Sequence, residues 1–210
     1  LKVQTLVDPK TGLRNQRFHD EFMARVVALA EREGLPVSII AIDIDRFKEI
    51  NDTNDHLVGD AVLQYVARVL QAYARRRSDQ IDAVYLPDDE ATRTGGEEFF
   101  IILPGTDLAG ATLVAERIRT MLATRMDPVA GKPRALRVKG TNPDGTPTED
   151  RDITASLGVA TYEPGDTVQT LTRRADQALH HAKKTGRNQV VAWTPTQQEL
   201  ATGPRVVGQE

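Results

Sequence analysis

The run Val37-Ser38-Ile39-Ile40-Ala41-Ile42-Asp43-Ile44-Asp45 constrains the fold more than any other stretch of the sequence. From Val37 to Asp43 it is an almost unbroken apolar strand. A strand with no polar alternation has no solvated face, so it belongs in the middle of a sheet covered on both sides. It ends in carboxylates. Asp43 and Asp45 share one face at that end, and Ile44 points the other way.

A second acidic strand end lies downstream, in Arg93-Thr94-Gly95-Gly96-Glu97-Glu98-Phe99-Phe100-Ile101-Ile102-Leu103. It reads as the second half of a β-hairpin. Gly95-Gly96 supplies the positive φ of a tight turn and lets a ligand approach the backbone. In a strand, Glu97 and Glu98 point to opposite faces, so one of them must meet a cation, a donor or water. Alone, this hairpin is acidic punctuation of a solvated turn. Paired with the Asp43 strand end, it is the way a protein builds a divalent-metal site from hard oxygen ligands.

The remaining elements follow from periodicity. Asn15 caps a helix over Gln16–Glu33, with Phe18, Phe22, Val26 and Leu29 inward and Gly34 and Pro36 ending it. After a connection through Asn54-Asp55-His56, Gly59-Asp60 opens a helix to Arg75, striped by Val62, Leu63, Val66, Val69, Leu70 and Tyr73. There Asp60 is at least a negative charge near a helix start, and Arg75 to Arg77 complement the helix end. Asp107 caps a helix facing inward through Ala111, Val114, Ile118, Met121 and Leu122. Residues 127–152 are irregular, with a short strand expected over Ala135–Lys139 and a turn at Asn142-Pro143-Asp144-Gly145. A strand at Ile153–Thr161, a helix marked by Leu171, Ala175, Leu179 and Ala182, and a strand at Gln189–Trp193 complete the order. That order is α+β, with helices over an antiparallel sheet.

Composition excludes several classes. The 210 residues suit one decorated domain, with 40% hydrophobic and 27% charged residues. Net charge is −3, which gives no pull toward nucleic acid. There is no Cys, hence no disulfide, thiolate zinc site or Cys nucleophile. No apolar run is long enough to span a membrane. The chain begins at Leu1 and reads as a fragment, so the lack of a visible signal peptide does not exclude a targeting segment.

The chain resembles the GGDEF-family diguanylate cyclase domain, in its GGEEF variant. The matching stretches, in family order, are Asp8 to Asn15, Asp43 to Asp52, His56 with Gly59 to Leu63, Gly95 to Phe99, Ser156 to Ala160, and Ala182 to Asn188. The resemblance implies a ferredoxin-like, palm-type core over residues 1–194, followed by a polar tail at 195–210. It implies condensation of two GTP into 3′,5′-cyclic di-GMP with release of two pyrophosphates, by two domains meeting face to face as a homodimer. A missing N-terminal sensory domain and a cytoplasmic setting, in a full-length protein that a membrane anchor could tether, also follow from it. Alternatives are an inactive module sensing GTP or cyclic di-GMP, and a mononucleotide cyclase of the class III type.

The resemblance also assigns residues. Asp43, Glu97 and the Ile44 carbonyl would hold Mg²⁺ or Mn²⁺, with Asp45 either behind them or capping the next turn. Glu97 would be general base toward a ribose 3′-hydroxyl, and Lys48 would neutralise the reacting phosphate. Asp60 can accept from guanine N1–H and N2–H together, and Asn51 can meet O6, N3 or the amino group. His56 lies in the same loop, where Asp55 replaces the family's usual Gly. Gly96, Glu98, Lys183 and Arg187 complete the substrate site, the last two on the triphosphate. Arg76 and Asp79 fit the family's product-binding inhibitory motif, although the segment from residue 80 to 92 is longer than the family's.

Overall fold

The computed structural model describes residues 5–78, 87–124, 136–142, 144–148 and 151–195. In chain order the elements are α1 (Gln16–Glu33), β1 (Val37–Ile44), α2 (Phe47–Thr53), α3 (His56–Ser78), β2 (Glu90–Gly95), β3 (Glu98–Pro104), α4 (Leu108–Ala123), β4 (Gly140–Thr141), β5 (Pro147–Thr148), β6 (Ala155–Thr161), α5 (Val168–Lys184) and β7 (Val190–Ala192). The main sheet has the order β2-β3-β1-β6-β7. Thus β1 is central, as its unbroken apolar run requires, and all eight of its residues are buried. Four strands pair antiparallel, and β7 adds a parallel edge beside β6. The sheet is therefore mixed, because α5 is long enough to carry the chain back across it.

Helices cover both faces. Ile40, Ile42 and Ile44 pack with Val62, Val66 and Leu70 of α3 and Ile118 of α4. Ile39 and Ala41 pack with Phe22, Met23 and Val26 of α1 and Leu171 and Ala175 of α5. The alternation of β1 thus feeds two separate apolar layers.

Helix α1 has the expected bounds. The Asn15 side chain accepts from the Phe18 amide, and Gly34 closes the helix at φ 65° with its amide on the Ala30 carbonyl. Asp107 caps α4 by accepting from the Gly110 amide.

Two expectations need correction, and one short helix stands where no element was expected. Helix α3 starts at His56, so Asp60 sits past its first turn and is not an N-terminal charge. Helix α2 has only Phe47 and Ile50 buried, too few apolar positions to show a period, and it starts from Arg46 in the left-handed region. The strand expected over Ala135–Lys139 is replaced by β4 at Gly140–Thr141. At Lys139 the backbone is taken by a side chain: Asn54 accepts from its amide (2.9 Å) and donates to its carbonyl (3.0 Å). Ala135 itself lies outside the described residues.

Candidate functional site

The site lies at the end of the sheet where β1 finishes and β3 begins. Antiparallel register puts Asp43 directly opposite Glu98, so their side chains share a face. Helix α5 crosses that face with its C-terminal turn at the same end. Lys183 reaches down from it, and its Nζ lies 2.7 Å from Asp43 Oδ2. The Asp43 side chain is only 8% exposed, so this ion pair is largely withdrawn from water.

Glu97 occupies the turn ahead of β3, not the strand. Strand alternation therefore does not send it away from Glu98, as the sequence reading expected. Burial, Asp43 and Glu98 all raise its carboxyl above the ordinary glutamate range, against a lowering by Lys183. Burial pushes Asp43 up as well, Lys183 pulls it back, and Glu98 and Asp45 add to the rise. A fourth carboxylate belongs to the group. Asp176 stands on α5 two turns before Lys183, raised by burial and by Glu98 and lowered by Lys183. Glu98 and Asp176 line one cavity of about 310 Å³ between α1 and α5. Lys183 thus bears on three of these four carboxylates, and the balance of charge is negative. Sequence reading passed over Asp176, although its seven-residue spacing from Lys183 puts both on one helix face.

Asp45 has a different task. Its carboxylate accepts from Ser156 Oγ (2.7 Å), Thr154 Oγ1 (2.8 Å) and the Asn188 amide (2.9 Å). It ties the end of β1 to β6 and to the loop after α5, and so positions Lys183. In that loop Arg187 and Asn188 have φ of 63° and 44°.

The glycine turn is fixed from outside. Arg93 donates to the Gly96 carbonyl through Nη2 (2.7 Å) and Nε (3.2 Å). Its Nη1 reaches both oxygens of Asp8, at 2.9 and 3.0 Å. Asp8 also accepts from the Thr11 amide and hydroxyl, and so shapes the turn that carries Lys10. Burial would raise the Asp8 carboxyl, but these donors hold it below the ordinary range. The arch ends on α3, where Lys10 Nζ lies 2.6 Å from Asp60 Oδ1.

Beside Asp60, the Asn51 side chain of α2 fits into the space at Gly59. A Cβ there would lie 1.9 Å from Asn51 Oδ1. Lys48, His56 and Arg187 are exposed, and among the described residues no hydrogen bond or ion pair joins them to Asp43, Glu97 or Glu98. The Arg76 side chain and all of Asp79 lie outside the described residues. Also among the described residues, no three His, Cys, Asp or Glu side chains converge into a metal cage, and no helix is long and apolar enough to cross a membrane.

Residues 5–189 match the family model described as "Diguanylate cyclase, GGDEF domain". The response regulator PleD of Caulobacter vibrioides is 39% identical over 187 residues, which cover 89% of this chain and 36% of that protein. The chain spans about a quarter to a third of the length of the curated relatives it matches. In structure it is similar to the GGDEF domain of DgcB from Caulobacter crescentus, solved in complex with c-di-GMP: TM-score 0.73, 30% identity, covering 93% of this chain and 97% of that one. The active GGEEF domain of a diguanylate cyclase from Vibrio cholerae aligns with TM-score 0.68 and 31% identity, covering 88% of this chain and 99% of that one. A strand end and a Gly-Gly-Glu-Glu turn that bring acidic side chains together under one lysine, in a chain matched almost throughout, place this protein in the GGDEF family of diguanylate cyclase domains.

Proposed function

We propose that this chain is a working cyclase domain that joins two GTP into 3′,5′-cyclic di-GMP and releases two pyrophosphates. The observation that carries the reading is the single Lys183 among Asp43, Glu97, Glu98 and Asp176, three of whose carboxyls are raised by burial and mutual repulsion. Such a cluster is short of positive charge, and its donors are hard oxygens, so a divalent cation of the Mg²⁺ or Mn²⁺ type fits it. Cyclases of this family are metal-dependent in general. Asp43, Glu97 and the Ile44 carbonyl would hold the ion, leaving further positions for phosphate oxygens and water. When bound, it would supply charge neutralisation at the α-phosphate and acidify the attacking hydroxyl.

The other steps belong to the chain's own residues. Glu97 takes the proton from the ribose 3′-hydroxyl. The freed oxygen attacks the α-phosphorus of the GTP held by a second copy, and pyrophosphate leaves. The same transfer in the other direction closes the ring. Lys48, Lys183 and Arg187 offset the triphosphate charge, and Gly96 and Glu98 border the reacting groups. Lys183 exchanges part of its Asp43 contact for phosphate. Asp60 and Asn51 read guanine, with His56 in the same loop. A sensory domain ahead of the chain would control the encounter of two copies, and product bound at Arg76 and Asp79 would oppose it.

The direct test is to incubate the purified chain with GTP and Mg²⁺ and separate the products. Cyclic di-GMP from GTP, and none from ATP, is the expected result. Binding of GTP without turnover would leave a sensing module, and 3′,5′-cyclic GMP would make it a mononucleotide cyclase.

Gly59 offers a second test of the base pocket. In a helix, Gly→Ala gains up to about 1 kcal/mol of intrinsic propensity. Here the new methyl group strikes the flexible Asn51 side chain and turns it out of place. Gly59→Ala should therefore melt no lower than the parent and bind GTP roughly tenfold more weakly, the loss of about one hydrogen bond. A variant that melts lower yet binds GTP normally would take Asn51 out of the pocket.

A further inference from the structure

We propose that Lys10 reads the O6 edge of guanine and, with Asp60, forms one recognition unit; this rests on the base-pocket reading above. The two residues are fifty positions apart in sequence, and Lys10 Nζ lies 2.6 Å from Asp60 Oδ1. Both remain partly open to solvent, with side-chain exposures of 53% and 41%. A ligand can therefore reach the pair. The pair is also held in place: Asp8 shapes the turn under Lys10, and Arg93 clamps Asp8 to the glycine turn of the reaction site.

The chemistry of the base completes the argument. The Watson–Crick edge of guanine presents two adjacent donors, N2–H and N1–H, and then one acceptor, O6. A carboxylate can take the two donors and has nothing to offer O6. An ammonium touching that carboxylate stands beside the N1–H position, where O6 follows. Adenine presents an acceptor at N1 and a donor at N6, so it would set like against like at both members of the pair. Lys10 thus contributes discrimination as well as affinity, because a mismatched base sets a donor against the ammonium and an acceptor against the carboxylate.

The opposite role for the same contact is a latch, in which Lys10 occupies Asp60 and must be displaced by GTP. The two roles predict changes of opposite sign when Lys10 is removed.

The test pairs a side-chain deletion with an atom change in the ligand. Lys10→Met and the parent are titrated, with Mg²⁺ present, with 3′-deoxy-GTP, 3′-deoxy-ATP and 3′-deoxy-6-thio-GTP, none of which can turn over. Sulfur is a weak acceptor. The parent should bind the 6-thio compound about tenfold more weakly than 3′-deoxy-GTP, as expected for loss of a charge-assisted hydrogen bond. Lys10→Met should bind 3′-deoxy-GTP about tenfold more weakly than the parent and treat the oxo and thio bases alike. Lys10→Arg should restore much of the oxo preference. Tighter 3′-deoxy-GTP binding by Lys10→Met would make the pair a latch and overturn the proposal. Equal weakening toward the guanine and adenine compounds, or an undiminished thio penalty in the variant, would also overturn it. Asp60→Ala separates the two levels. If it keeps the guanine preference, the base-pocket reading itself falls. If it loses that preference while Lys10→Met keeps the thio penalty, only the role of Lys10 falls.

Discussion

Replacing Glu97 by Gln should stop cyclic di-GMP formation while leaving the metal-free protein slightly more stable than the parent. The activity loss is on the order of 10²–10⁴-fold for a general base alone, and loss of a metal ligand adds to it. The stability gain follows from the direction of the Glu97 shift. Burial, Asp43 and Glu98 raise its carboxyl above the ordinary value of 4.5. Just above that pH the folded protein holds a proton that the unfolded chain has lost. Stability of the parent therefore falls as pH rises from 4.5 through the raised value, and stays lower at neutral pH. Gln carries no charge and escapes the penalty. Solvent screens a partly exposed group, so the gain stays below about 1 kcal/mol. Thermal melts in chelator at about pH 4 and about pH 7.5 check the sign, since the variant's advantage should appear only at the higher pH. Added Mg²⁺ should then raise the melting temperature of the parent by mass action, and that of the variant much less. A variant that turns over GTP within a few fold of the parent would remove Glu97 from the chemistry. One that melts lower at the higher pH would show that Glu97 supports the fold instead of straining it.

Where the sequence was legible, one residue type had one physical use. The β1 run could only be central, and Asn15 and Gly34 marked the ends of α1 because side-chain capping and positive φ leave few alternatives. The two acidic strand ends could be read separately, and their meeting needed only antiparallel pairing. What stayed hidden was long-range or multivalent. Nothing local joins Lys10 to Asp60, or Asp8 to Arg93. From sequence Asp45 reads either as lying behind the metal ligands or as capping the next turn, and nothing local chooses between them. Its partners Thr154, Ser156 and Asn188 come from the far end of the chain, and they make it a clamp. Glu97 and Glu98 were assigned to opposite faces by a strand rule that does not reach into the turn. The close approach at Gly158 had no local signal, since a glycine in a strand is equally a bulge, a weak point or a close approach.

Gly158→Ala tests that close approach and should be more damaging than the same change at the other described glycines with a Cβ neighbour, where the nearest atom belongs to a side chain. Gly158 pairs with Ala41 of β1 on one side and Val191 of β7 on the other, so the sheet cannot shift to accommodate it. A Cβ there would stand 2.2 Å from both the Ala175 carbonyl oxygen and the Leu179 amide nitrogen, and 2.8 Å from the Leu179 Cα. All three are backbone atoms of α5, and no rotamer change relieves them. The helix must lift from the sheet, opening the layer where Leu171 and Ala175 pack. Overpacking a core costs typically about 1–3 kcal/mol, and a backbone clash belongs at the top of that range or above it. For a chain of this size, the expected loss is roughly 6–12 °C in melting temperature. The same movement carries Lys183 away from Asp43 and Asp176 away from Glu98. Misplacement by about 1 Å can cost 10²-fold in rate, so activity should fall well beyond what the unfolded fraction explains. Gly34→Ala is the control. It forces a side chain into the left-handed region at about 1–2 kcal/mol, but at the far end of α1, with nothing within 4 Å of the new Cβ. That variant should lose stability and keep the rate per folded molecule. If Gly158→Ala behaves the same way, α5 can move without disturbing the carboxylate site, and Lys183 is not held there by the packing of its helix.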